Sequence, residues 1–256
     1  MLPLAFNIID EENRNKVIAN LAETVRRENT TDRGQQCPSY SLMTGFIGTS
    51  WINKALSDYG HSDLAYRLLQ QTSYPSWLYS IEQGATTIWE RLNSYTRTDG
   101  FGGNNRMNSF NHYSFGAVGA WMYNYSLGIQ RDETFPGFKQ FVLKPMPDPT
   151  GNMTYARGYY DSMYGRIESG WKVESGVILY TFTVPANTTA TLYLPTASLR
   201  DVREKTKPVR KCKGVEFISE GNGEVVLKLL SGSYSFEVKK DYPLAARKRK
   251  KYVFVR

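Results

Sequence analysis

The chain is poor in the residues that build metal centres and disulfide frameworks. Its 256 residues include two cysteines, Cys37 and Cys212, and two histidines, His61 and His112. No C-x-x-C spacing occurs, which leaves a structural zinc site unsupported, and a Cys37–Cys212 disulfide has nothing in the spacing to favour it. No run of about 18 apolar residues is present, so no membrane-spanning helix is expected. The first residues, MLPLAFNIIDEENRNK, lack a basic start followed by an apolar run and a small-residue cleavage site, so they do not read as a signal peptide. Repeats of solenoid type and glycine-rich nucleotide motifs are also missing.

Basic charge is present but badly distributed for a nucleic-acid partner. The formal net charge is +8. After residue 238 stand eight cations, from Lys239 to Arg256, against the single acid Asp241; this end carries +7 and leaves residues 1–238 at +1. A near-neutral body lacks the broad basic face of a duplex binder. Residues 241–256, with the run ARKRKK, read as a solvated, disordered basic tail.

What the chain does have is aromatic residues, 14% of the total, with 18 tyrosines. Core packing accounts for most such residues, and flat faces for sugar stacking are the alternative.

Two halves differ in period. In the first, Val17, Ile18, Leu21 and Val25 recur at helical spacing behind Asp10 as a cap. Ile47, Trp51, Ile52, Ala55 and Leu56 do so in a segment ending near Gly60, and Leu64, Ala65, Leu68 and Leu69 in one starting at Ser62. PSWLYSIEQG reads as a short helix with Pro75 at its start, closed by Gly84. From PGFKQFVLKP (136–145) onward the period is two. A turn is expected near Tyr164-Gly165, a hairpin across Pro185-Ala186-Asn187, and another at Glu220 to Gly223. Several short strands at regular spacing imply a β-sandwich. The expected organisation is therefore α then β: 1–130 helical, 131–240 an antiparallel β-sandwich, and 241–256 the tail.

Two stretches carry the candidate chemistry. In GATTIWERL (84–92), Thr87 and Glu90 stand in the capping-box pattern, with Thr87 as N-cap and Glu90 three positions on. That pattern makes Glu90 a helix-capping residue; it also sets a carboxylate, beside the indole of Trp89, at a helix mouth. In MNSFNHYSFG (107–116), Ser109 or Asn108 is placed to cap a helix of roughly 110–127, with His112 in its first turn. A lone histidine is most often structural, yet an imidazole there suits hydrogen bonding to a hydroxyl. The spacing leaves both pairs of roles open.

The succession TGFIGT (44–49), LSDYGHSDLAYRLL (56–69), YPSWLYSIEQGATTIWERL (74–92), MNSFNHYSFGAVGAWMY (107–123) and PGFKQFVLKP (136–145), with YGRIESGW (164–171) later, resembles the end of the bacterial α-L-rhamnosidase family. The resemblance implies a multidomain α-then-β chain, about half of an (α/α)6 toroid followed by the sandwich. It implies inverting hydrolysis of terminal α-L-rhamnosyl residues, with Glu90 as general base and His112 and Trp89 at the sugar. The implied partner is a rhamnose-containing glycoside or polysaccharide, with no cofactor or metal, no nucleic acid and no membrane. The family's general acid comes from an upstream motif that nothing here resembles, so the expectation is a missing N-terminal segment and a chain inactive alone. The alternative is a non-catalytic carbohydrate-binding remnant. Two positions depart from the family pattern: Leu92 stands where tryptophan is usual, and Ser41 where a histidine precedes the TGF motif.

Overall fold

The computed structural model describes residues 1–32, 34–102, 107–174 and 176–239. The expected basic tail, 241–256, lies outside the described residues. Contacts divide the chain into two compact units, Met1–Tyr125 and the residues from Ser126 onward.

The first unit is helical. Its helices are α1 (Leu2–Ala5), α2 (Glu11–Arg26), α3 (Phe46–Asp58), α4 (Ser62–Gln70), α5 (Trp77–Glu82) and the short α6 (Val118–Trp121). One two-stranded ribbon, β1 (Asn29–Thr30) with β2 (Gln36–Cys37), interrupts them where no strand is expected from sequence. The core is formed by Leu4, Val25, Ile52, Ala55, Leu56, Leu64, Tyr66, Leu68 and Trp121, all buried. Tyr66 and Trp121 meet edge to face at 5.0 Å, and the Trp121 indole N–H donates to the buried Ser57 hydroxyl at 2.9 Å. Ser76 caps α5, its hydroxyl accepting from Tyr79 N–H at 3.1 Å; the helix thus begins after Pro75 rather than on it. Ile47, expected on the inner face of α3, is exposed instead.

The segment expected as one helix from 110 to 127 is broken into three geometries. Ser114–Ala117 is a 3₁₀ turn, α6 follows, and Met122–Ser126 is π-helical. Residues 109–113 are not helical, because their backbone groups bond elsewhere, as described below.

The second unit is a β-sandwich. Its strands are β3 (Ile129–Arg131), β4 (Gln140–Leu143), β5 (Tyr155–Ser162), β6 (Gly165–Glu174), β7 (Val177–Val184), β8 (Thr189–Leu194), β9 (Val202–Glu204), β10 (Lys207–Pro208), β11 (Val215–Gly221), β12 (Glu224–Leu229) and β13 (Gly232–Lys239). One sheet runs β10-β9-β13-β7-β6-β5 and is antiparallel throughout; the other runs β11-β12-β8-β4-β3 and holds one parallel pair, β4 with β8. Alternation fills the core: Ile178, Tyr180, Phe182 and Val184 point inward from β7, and Ala190, Leu192 and Leu194 from β8.

The hairpin expected between β7 and β8 is not one. The two strands belong to different sheets, and the Pro185–Thr188 turn carries the chain from one sheet to the other. Period-two patterning looks the same in both cases, since each strand buries alternate residues whichever sheet it joins. The β5–β6 and β11–β12 hairpins form near the expected turns, with Ser162 opposite Gly165 and Gly221 opposite Glu224. Cys37 and Cys212 are free thiols in separate units.

The chain entering the sandwich is fixed to β6. The Trp171 indole N–H donates to the Ser126 carbonyl at 2.8 Å, and the Ser169 hydroxyl donates to Leu127 O at 2.5 Å. Gly128 has φ +72°, and a Cβ there would lie 2.1 Å from the Lys144 carbonyl carbon. Only glycine fits, since the obstruction is backbone.

Candidate active site

Residues 87–90 and 109–112 lie side by side, and that pairing builds the candidate site. Glu90 N–H donates to the Ser109 carbonyl at 2.8 Å, and His112 N–H donates to the Ile88 carbonyl at 2.8 Å. Ser109 N–H donates back to Glu90 Oε2 at 2.7 Å, and the Thr87 hydroxyl donates to Phe110 O at 2.5 Å.

These bonds explain why no helix starts at Thr87. A capping box needs the Thr87 oxygen to accept from the amide of residue 90, and the Glu90 carboxylate to accept from the Thr87 amide. Both side chains instead bond the 109–112 strand of backbone, nineteen or more residues away. Hydrogen-bonding capacity that would have been used locally is spent on a non-local pair. Ser109 and Asn108, expected as helix caps, serve the same junction: the Ser94 hydroxyl donates to Asn108 Oδ1 at 2.6 Å, and Asn108 Nδ2–H donates to Ser94 O at 3.3 Å. Residues 91–108 thus form a loop closed twice at its neck.

Glu90 is half-buried. Its Oε2 is held by Ser109 N–H, while Oε1 has no hydrogen-bond partner among the described residues. One carboxylate oxygen is therefore anchored and the other is available. Trp89, beside it, is only 7% exposed and packs edge to face on Phe110 at 5.3 Å. Phe110 in turn meets Phe101, and Phe101 meets Tyr95, so the indole is the inner end of an aromatic cluster.

His112 is also half-buried. Ser114 N–H donates to its Nδ1 at 3.4 Å, and its ring lies nearly parallel to Phe46 with centroids 4.6 Å apart and an interplanar angle of 24°. A neutral imidazole whose Nδ1 accepts carries its proton on Nε2. Nε2 has no hydrogen-bond partner among the described residues. The ring is set as a donor facing outward.

Behind these two groups the scaffold is buried and bonded. The Trp77 indole N–H donates to Phe115 O at 2.8 Å, and Phe115 meets Phe46 edge on at 5.3 Å. Aromatic pairs of this kind contribute about 0.5–1.5 kcal/mol each beyond burial. Ser80 donates to the Leu92 carbonyl at 2.7 Å, and the Leu92 side chain is buried. Ser41 is buried too, its hydroxyl donating to Pro38 O at 2.7 Å.

The three residues singled out from sequence thus fall on one hydrogen-bonded junction. Sequence reasoning missed Ser109, whose amide anchors the carboxylate, and Phe46, which covers the imidazole. The signal for Phe46 was present: an aromatic at the first position of an amphipathic helix, 38% exposed and so unexplained by the core. Among the described residues, no group of three or more His, Cys, Asp or Glu side chains is arranged to hold a metal.

Comparison with known proteins bears on this junction. Residues 1–126 match the bacterial alpha-L-rhamnosidase six-hairpin glycosidase domain, and residues 128–208 match the bacterial alpha-L-rhamnosidase C-terminal domain. The chain is 34% identical over 239 residues to an alpha-L-rhamnosidase of Formosa agariphila, covering 93% of this chain and 24% of that protein. It is 38% identical over 203 residues to one of Streptomyces avermitilis, covering 79% of this chain and 18% of that protein. In structure it is similar to the Streptomyces avermitilis alpha-L-rhamnosidase crystallised with L-rhamnose (TM-score 0.77, 35% identity, 93% of this chain and 21% of that one). It is similar also to the alpha-L-rhamnosidase from Dictyoglumus thermophilum (TM-score 0.75, 32% identity, 93% and 25%). The chain spans about a quarter or less of the length of these relatives.

Proposed function

The chain belongs to the bacterial alpha-L-rhamnosidase family, and from that membership we propose that it carries the base half of an inverting α-L-rhamnosidase site. The observation behind this reading is the Glu90–Ser109 junction, which leaves one carboxylate oxygen free beside a histidine with a free Nε2.

Inverting hydrolysis uses two carboxyl groups roughly 6.5–9.5 Å apart, with a water between the base and the sugar. In this reading Glu90, ionised, takes a proton from that water through Oε1 while Ser109 N–H steadies Oε2. As the water oxygen bonds to C1 from one face, the glycosidic oxygen leaves from the other and takes a proton from the acid. His112 donates from Nε2 to a rhamnosyl hydroxyl. Trp89, packed on Phe110, is the wall behind the carboxylate. The helical unit is then the later half of the six-hairpin toroid, and the substrate a rhamnose-containing glycoside or polysaccharide.

The acid lies outside residues 1–256 in this proposal, in an N-terminal segment such as the longer relatives have room for. The chain alone then binds L-rhamnose without cleaving an aryl α-L-rhamnoside. Assaying the purified chain on such a substrate tests this: no turnover above background is expected, with rhamnose binding weakened in His112→Ala. Robust turnover by the chain alone would place an acid within these residues and overturn the division of labour.

A further inference from the structure

The imidazole of His112 is not held by its own backbone alone. Phe46, from the first turn of α3, lies against it at 4.6 Å and 24°, and Tyr113 also lies parallel to it at 5.9 Å and 3°. Phe46 is braced in turn by Phe115, whose carbonyl is fixed by the Trp77 indole. Ser114 N–H meets Nδ1 from the neighbouring 3₁₀ turn. A ring has two freedoms at fixed backbone: which nitrogen carries the proton, and how the plane is tilted. The Ser114 amide addresses the first, and nothing but the stack addresses the second.

We infer that Phe46 is a positioning residue for sugar recognition: its ring fixes the plane of His112 so that Nε2–H points along one line toward a sugar hydroxyl. This rests on the reading of His112 as a sugar contact. The Nε2–H bond lies in the ring plane, so tilting the plane swings the donor. A hydrogen bond weakens steeply as its angle falls toward about 120°. Packing that sets the tilt before the sugar arrives removes an ordering cost from binding. The role also accounts for Phe46 itself, an aromatic left partly exposed at the start of a helix whose other apolar positions, Ile52, Ala55 and Leu56, are buried.

The experiment uses the whole chain and two-dimensional NMR of its histidine ring protons, with L-rhamnose as the ligand. His61 is the only other histidine, so its resonances report whether each variant is folded. In the parent, the His112 ring protons are expected upfield, displaced by the Phe46 ring current, and they should move on addition of L-rhamnose. Phe46→Leu keeps apolar bulk without a ring. It should abolish the upfield displacement and weaken rhamnose binding about fivefold or more, with His61 unmoved. Phe46→Tyr should retain both within twofold. A Phe46→Leu chain that binds rhamnose as tightly as the parent overturns the positioning role and leaves the sugar contact standing. A parent whose His112 protons ignore L-rhamnose sinks the sugar contact, and the positioning role with it.

Discussion

Glu90 holds two tasks on two oxygens, and the two isosteric steps away from it separate them. Glu90→Gln keeps an oxygen where Oε2 accepts from Ser109 N–H at 2.7 Å, but ends the capacity to take a proton. Glu90→Ala removes both. A hydrogen bond to a charged group is worth about 1.5–3 kcal/mol when shielded, against about 0.5–1.5 for a neutral one. Both Glu90 and Ser109 are half-buried, so water competes and the lower ends apply. Glutamine should therefore cost about 0.5 kcal/mol of unfolding free energy, and alanine about 1–1.5, since water can partly replace the lost acceptor. The chemical consequence is far larger. General base catalysis contributes typically about 10²–10⁴-fold, or roughly 3–5 kcal/mol of barrier. In a full-length chain that supplies the acid, both variants should lose turnover on an aryl α-L-rhamnoside by at least about a hundredfold. Urea unfolding of the chain as it stands gives the first pair of numbers, and rates from the full-length protein give the second. A Glu90→Gln enzyme retaining a tenth or more of the parental rate would refute the base assignment. A Glu90→Gln chain destabilised by several kcal/mol would show the residue to be chiefly structural.

Two further outcomes follow from the packing. Gly128→Ala drives a Cβ to 2.1 Å from backbone at a residue with φ +72°, so it should destabilise the sandwich by about 4 kcal/mol or more in urea. Gly137→Ala, at φ +98° with open space around it, should lose only about 1–2 kcal/mol, and equal losses would mean the clash is relieved. In the helical unit, burial first, and then the hydrogen bond and charge of Asp58, hold the Tyr125 phenol above its ordinary range. Asp58 is also paired with Lys54. The folded state thus keeps the Tyr125 proton longer than the unfolded chain does. That contribution is whole below about pH 10 and declines as pH rises beyond it. Melting temperatures from pH 8 to 11 should fall more steeply for the parent than for Tyr125→Phe, and parallel curves would count against the coupling.

Much of the architecture was legible because it rests on local period. Helices α2 to α5 and the strands β7, β8, β12 and β13 show their buried faces in the spacing of apolar residues. The junction was legible only as a list of residues. Thr87, Glu90, Asn108 and Ser109 all have capping chemistry, and local reasoning assigned them to helix starts that do not form there. Each found a partner across the 91–108 loop, and a partner nineteen positions away leaves no periodic trace. The same blindness turned the β7–β8 connection into a hairpin: inward alternation records burial, not the neighbour that shares the ladder. One sheet's parallel pair was equally hidden, since residues of β4 and β8 meet across some fifty positions of sequence.

The doubly fastened neck of the 91–108 loop separates two kinds of change. Above the fastening, Tyr95 to Met107 can lengthen, shorten or exchange residues while Glu90 and His112 keep their mutual register. Doubling such an excursion raises its closure penalty by only about 0.6 kcal/mol. Natural variation in that stretch, or a grafted replacement, is thus a route by which what surrounds the sugar can diversify while the reacting groups stay put.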